Sequence, residues 1–169
     1  MESDKFKKIL FKTAFCSMSC DGHIDDKEIE ELRKIDRDTS YFKKIDLSNE
    51  LKKLIKDIKS DSKKVLTEYF KTVKSSNFTI IQELLIIEIV IRIIASDGKI
   101  DENETKFLNL LRSKLDINDQ LIFERFGKSK FFKNINFNPI KDVSNNITND
   151  FIENINFSDL SLTNSNISK

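Results

Sequence analysis

Two copies of one short pattern govern what this chain can fold into. Asp21-Gly22-His23-Ile24-Asp25-Asp26-Lys27-Glu28 and Asp97-Gly98-Lys99-Ile100-Asp101-Glu102-Asn103-Glu104 lie at a constant offset of 76 residues, and Leu32 and Leu108 continue the register. In each copy an apolar helical pattern runs into Asp-Gly and another leaves from Asp-x-x-Glu, which predicts a helix, a tight corner and a helix. Duplication of such a corner predicts an all-α fold, a compact helical bundle with an internal pseudo-twofold repeat. Three Gly and one Pro are too few for the turns of a many-stranded fold, which supports the same class. At roughly 150 residues per domain, a chain of 169 residues holds one domain with a tail.

The apolar periodicity predicts about seven helices. The first runs from Asp4 to Cys20, with Phe6, Ile9, Leu10, Thr13, Ala14 and Ser17 on one face, and the second from Asp26 to about Arg37. After an irregular link at Tyr41 to Leu47, Ser48-Asn49-Glu50 opens a third helix carrying Leu51, Leu54, Ile55 and Ile58. Its lysines, Lys52, Lys53, Lys56 and Lys59, form a solvated basic face. Ser62 begins a fourth, and a central helix follows from Thr79 to Ser96, apolar on most sides and therefore buried on most sides. Gln82, Glu83, Glu88 and Arg92 make it a poor membrane span. Helices from Glu102 to Leu115 and from Asn118 to Phe126, with Gly127 as the C-terminal cap, complete a domain over residues 1–127.

Residues 128–169 read as an Asn-rich tail, because ten Asn fall between Asn134 and Lys169 and no helical period is sustained there. Its apolar pieces, Phe131-Phe132, Phe151-Ile152, Ile155, Phe157 and Leu160, are suited to docking on the helical block or on a partner. With 29 basic and 28 acidic residues, the formal charge of +1 excludes broad electrostatic attraction to nucleic acid or to an anionic membrane. The first residues, broken by Lys7, Lys8 and Lys12, do not form a secretory signal, and two cysteines are too few for a disulfide framework. Both features predict a reduced cytoplasmic setting.

Much of the repeated pattern is explained by helix ends. Asp25 with Glu28, and Asp101 with Glu104, have capping-box spacing, in which each side chain satisfies an orphan backbone N–H of the helix start. Ile24 and Ile29 are placed for a hydrophobic staple, and Gly22 and Gly98 suit the left-handed position beyond a helix end. Asp21 and Asp97 are not explained in this way, since a carboxylate beside a helix C-terminus is opposed by the helix dipole. A compensating cation accounts for them: each corner gathers carboxylates and helix-end carbonyls, the hard oxygen donors that Ca²⁺ or Mg²⁺ takes. The pattern matches only the later part of an EF-hand loop. The earlier ligand positions would fall on Ile93 and Ala95 in the second copy, which excludes a true EF-hand there.

On these two copies of Asp-Gly-x-Ile-Asp-x-x-Glu, the second preceded by Ile-Ile-Ala-Ser, the chain resembles the TerB-like tellurite-resistance family over residues 4 to 126. The resemblance implies a helical domain with acidic residues that bind a divalent metal, in a bacterial cytoplasm, linked to stress-resistance or phage-defence systems and to membrane-associated protein partners. Carried over by position, the metal set is Asp21, Asp25, Glu28, Asp97, Asp101 and Glu104, with Asp26 and Glu102 as secondary candidates. Cys16-Ser17-Met18-Ser19-Cys20 departs from the small residues that usually precede the first Asp-Gly.

Other constellations carry less. Cys16, Cys20 and His23 have zinc-like spacing but lack a fourth ligand other than Asp21, so zinc is the poorer candidate ion. No Ser or Cys has a histidine base in a recognisable context and no glycine-rich phosphate loop is present, which argues against an enzyme. Glu88 and Arg92, four residues apart on the central helix, are spaced for an ion pair and for lining a partner groove. Two functional readings follow: a non-enzymatic acidic module that binds divalent cations and docks to a protein partner, or a metal-free scaffold whose C-terminal tail engages that partner.

Overall fold

The computed structural model of the protein describes residues 3–133, 135, 137, 146–158 and 160. All regular structure among them is helical. The elements are α1 (Asp4–Ser19), α2 (Asp26–Asp38), α3 (Leu47–Ser60), α4 (Ser62–Ser75), α5 (Ile80–Ala95), α6 (Glu102–Ser113), α7 (Asp119–Phe126), α8 (Lys130–Lys133) and α9 (Asn146–Glu153). No helix of the described residues is long and apolar enough to cross a membrane.

α1 and α5 form the centre and pack more closely against each other than any other pair. Each has 16 residues, and their start and end points keep the offset of the repeated pattern. Ile86, Ile87, Ile89, Val90, Ile93 and Ile94 of α5 are fully buried, as are Leu10 and Ala14 of α1. The apolar surface thus spreads around most of α5, as the sequence predicts, and burial of each such side chain contributes about 1.5–3 kcal/mol. α2 and α6 flank this pair, and the α3–α4 hairpin closes one side, where Tyr69 shares a 2.6 Å buried hydrogen bond with Thr13. The four lysines of α3 are exposed while Leu51, Leu54 and Ile58 are buried.

One helix boundary and the conformation of one cap differ from expectation. α3 begins at Leu47, because Asp46 caps it by accepting the Asn49 N–H at 3.2 Å. Gly127 caps α7, but at φ −60 it is right-handed.

The larger difference lies in the tail. Residues 146–153 form a helix, although eight residues are too few for a period to stand out and too few for an isolated helix to persist. Packing supplies the stability: Thr148, Phe151 and Ile152 are buried against α4 and α6, and Phe151 meets Phe107 at 6.3 Å between ring centroids. Phe132, Phe157 and Leu160 are also buried, and Ile155 is partly so. The tail's apolar pieces therefore dock on the helical block. The Phe131 side chain and residues 161–169 lie outside the described residues.

This docking makes the two corners unequal. Gly22 and Gly98 have φ of +94 and +75, which disfavours any residue with a Cβ. A Cβ on Gly98 would meet nothing within 4 Å, whereas one on Gly22 would lie 2.5 Å from the Asn156 carbonyl oxygen. Gly98→Ala is expected to cost about 1–2 kcal/mol, the left-handed penalty alone. Gly22→Ala is expected to cost at least about 1 kcal/mol more, from the added overlap. Denaturant unfolding of both variants checks this, and equal losses would show that the tail does not press on the first corner.

Candidate functional site

Local sequence fixes each corner down to individual bonds. The Gly22 N–H donates to the Ser19 carbonyl at 2.9 Å and the Gly98 N–H to the Ala95 carbonyl at 3.2 Å, closing the incoming helices. Both expected capping boxes form. Asp25 Oδ1 accepts the Lys27 N–H at 2.7 Å while Glu28 Oε1 accepts the Asp25 N–H at 2.9 Å. In the second copy Asp101 Oδ1 accepts from Asn103 at 2.7 Å and Glu104 Oε1 from the Asp101 N–H at 3.0 Å.

Asp21 and Asp97 also have a local role that the sequence reading did not provide. Asp21 Oδ1 accepts the His23 N–H at 3.2 Å, and Asp97 Oδ1 accepts the Lys99 N–H at 2.9 Å. Each carboxylate thereby spans its own glycine and holds the turn, a known preference of Asp in tight corners. Both residues lie beyond the helix caps, Cys20 and Ser96. A compensating cation is therefore not needed to explain a carboxylate at these two positions.

The close packing of α1 with α5 brings the two corners within electrostatic reach of one another. Glu28 and Glu104 are buried, at 4% and 6% exposure, so their charges cannot be screened by bulk water. Burial pushes the Glu28 carboxyl up to about 9, opposed by the bond from the Asp25 N–H and reinforced by the charges of Glu104, Asp21 and Asp25. Glu104 rises to about 8, again through burial first, with Asp21, Asp97 and Asp101 adding to it. Asp21 is raised by burial and by Asp101, against the lowering effect of its bond and proximity to His23. The six predicted acidic residues thus belong to one electrostatic seam drawn from both corners.

That seam fits a metal only in part. Among the described residues, no group of three or more His, Cys, Asp or Glu side chains is arranged to hold a metal ion. Oδ1 of Asp21, Asp25, Asp97 and Asp101, and Oε1 of Glu28 and Glu104, accept backbone N–H groups of the turns and helix starts. The donor chemistry suits a hard cation, but the side chains serve the caps in this arrangement.

Cys16 and Cys20 are both buried and free; Cys20 lies near the seam, whereas Cys16 lines a cavity between α1, α3 and α4. Burial pushes the Cys16 thiol up to about 12, and Cys20 is raised well above the usual range by burial and then by Glu104, Asp21, Glu28 and Asp101. Such thiols hold their protons, which opposes the thiolate that zinc binds. His23 is exposed, with Nδ1 3.5 Å from Asp21.

Glu88 and Arg92 are not paired with each other in the way their spacing suggested. Arg92 donates through Nε and Nη2 to Glu31 of α2, at 2.9 and 2.8 Å. Glu88 accepts from the Tyr41 hydroxyl at 3.3 Å and from Arg125 at 3.5 Å. Both nevertheless line one groove between α2, α5 and α7, the location the sequence reading allowed for them.

Duplicated helix–corner–helix units with an acidic seam between them define an acidic helical module. The chain belongs to the family of the tellurite resistance protein TerB, whose family model matches residues 13–124 and so includes both corners. No curated protein and no solved structure gives a significant match.

The raised carboxyls carry a pH dependence of definite sign. A group whose pKa is higher folded than unfolded stabilises the fold below its unfolded value and loses that contribution as pH rises through its folded value. For Glu28 and Glu104 the window runs from the ordinary 4.5 to about 9 and about 8. Glutamine keeps the capping geometry, as Gln82 does for Thr79 at the start of α5. In chelator, the Glu28→Gln, Glu104→Gln double variant is expected to unfold close to wild type near pH 5 and at a progressively higher temperature than wild type towards pH 9. A difference that stays constant with pH would contradict the burial of these charges.

Proposed function

We propose that this TerB-family chain is a non-enzymatic, cytoplasmic module that binds a divalent cation, Ca²⁺ or Mg²⁺, along the acidic seam and docks to a protein partner. The partner belongs to a bacterial stress-resistance or defence complex, which includes a membrane-associated one. The observation that carries the reading is the burial of Glu28 and Glu104, two carboxyl groups contributed by different corners, with the charge of Glu104 adding to the effect of burial on Glu28. A cation supplies positive charge where each further deprotonation is otherwise opposed.

Within this chain, Asp21 and Asp97 hold the turns, and Asp25 and Asp101 hold the helix starts. The buried glutamates tie those turns to the α1–α5 core, so charge compensation at the seam stiffens both corners together. Because protons and cations compete for the same carboxylates, cation affinity rises with pH through the range where Glu104 and Glu28 lose their protons.

The metal-free alternative, with the tail engaging a partner, requires Phe151, Ile152, Phe157 and Leu160 to leave the core. Exposing each costs about 1.5–3 kcal/mol. The described tail residues 146–158 and 160 are therefore better read as part of the folded block.

Thermal unfolding at pH 8, in excess EDTA and then in millimolar Ca²⁺ or Mg²⁺ at fixed ionic strength, tests the proposal. A cation at about 100 times its dissociation constant adds about 2.7 kcal/mol, and the midpoint is expected to rise by several degrees. The Asp21→Asn, Asp97→Asn double variant is expected to lose most of that rise while remaining helical by circular dichroism. An unchanged midpoint in wild type, or an undiminished rise in the variant, would overturn the cation reading.

A further inference from the structure

The repeat gives the molecule two comparable helix faces, and among the described residues only the one on α6 is covered by a further helix. On α6, Asn103, Lys106 and Leu110 line the seam with α9, and Phe107 stacks near Phe151. The same register on α2 gives Lys27 for Asn103, Glu30 for Lys106, Glu31 for Phe107 and Lys34 for Leu110. Where α6 holds a helix of this chain, the α2 face instead borders a groove of about 410 Å³ between α2, the C-terminal half of α5 and α7. The groove continues along α2 past Lys34 to Arg37.

The chemistry of this groove defines what it would take. Ile91, Ala95 and Phe126 give it an apolar floor. Glu31 is neutralised by Arg92, and Glu88 faces Arg125, so these charges largely cancel. Lys27, Lys34 and Arg37 are exposed along the α2 rim against the single carboxylate of Glu30, which leaves the rim positive. α9 supplies the form of the ligand: an amphipathic helix that turns Phe151 and Ile152 inward and carries Asp150 and Glu153.

We propose that the α2–α5–α7 groove is the docking site for an acidic amphipathic helix of a partner protein, seated on α2 as α9 is seated on α6. Its apolar residues meet Ile91, Ala95 and Phe126, and its acidic edge faces Lys34 and Arg37. Apolar anchors supply affinity and the charged rim supplies orientation and association rate, the usual division in helix-in-groove recognition. A nucleic acid is the poorer occupant, because the groove floor of Ile91, Ala95 and Phe126 is apolar and the formal charge of +1 gives the chain no broad attraction for phosphates.

This proposal rests on partner docking but not on the cation, and its test separates the two. The probe is a synthetic, end-blocked amphipathic helical peptide with leucines on one face and glutamates beside them, added to the isotopically labelled full chain in EDTA and again with Ca²⁺. Amide shifts are expected to cluster on α2, α5 and α7. The Lys34→Glu, Arg37→Glu variant is expected to weaken binding about tenfold. Lys52→Glu, Lys56→Glu, the same charge change on the exposed basic face of α3, is expected to leave it unchanged. Shifts centred elsewhere, equal loss in both variants, or no saturable binding up to about 1 mM would overturn the groove assignment. Binding that is the same with and without Ca²⁺ supports the groove and tells against its coupling to the seam alone.

Discussion

Glu28 and Glu104 each have to reach back to the first residue of a helix, and doing so buries a carboxyl group on the same side of the α1–α5 core. Helix capping at one corner contributes about 1 kcal/mol through the side-chain bonds to orphan N–H groups. Made twice in neighbouring places, it buries two carboxyl groups where water is scarce, so both hold their protons well above the ordinary glutamate range. The left-handed glycines, the Asp turns around them and the raised carboxyl groups all follow from fitting two such caps against one core. The corner is at once a structural joint and the most electrostatically stressed region of the molecule.

Sequence revealed what is local. The capping boxes, the glycine conformations, the buried face of α5 and the exposed lysines of α3 are each set by residues within a few positions of one another, so periodicity and spacing sufficed. The Asp21 and Asp97 turns are equally local but were obscured by a competing expectation, the unfavourable helix dipole. The dipole argument weakens here because both residues lie one position past the cap and carry a backbone N–H of their own.

Non-local pairing was not legible. Arg92 finds Glu31 across 61 positions and Glu88 finds Tyr41 across 47, because the packing of α2 and of the α2–α3 link on α5 sets those partners and helical spacing along α5 does not. α9 was hidden for a related reason: its eight residues become a helix through contact with α4 and α6. The electrostatic union of the two corners belongs to the same category. Offset alone shows that the corners are alike, and only the packing of α1 on α5 places them together. The halves are also chemically unequal: among the described residues the α6 face takes the chain's own helix, and the more charged α2 face does not.

The account depends most on the claim that the corners sense each other's charge. Carbon-13 NMR titration of the Glu28 side-chain carboxyl in chelator, in wild type and in the Glu104→Gln variant, addresses it directly. Burial raises both carboxyl groups, and a charge on Glu104 raises Glu28 further. The predicted result is a Glu28 midpoint well above the ordinary glutamate range in wild type and clearly lower in the variant. A midpoint that does not move when Glu104 is neutralised would mean two independent caps, and with that the shared seam would be lost.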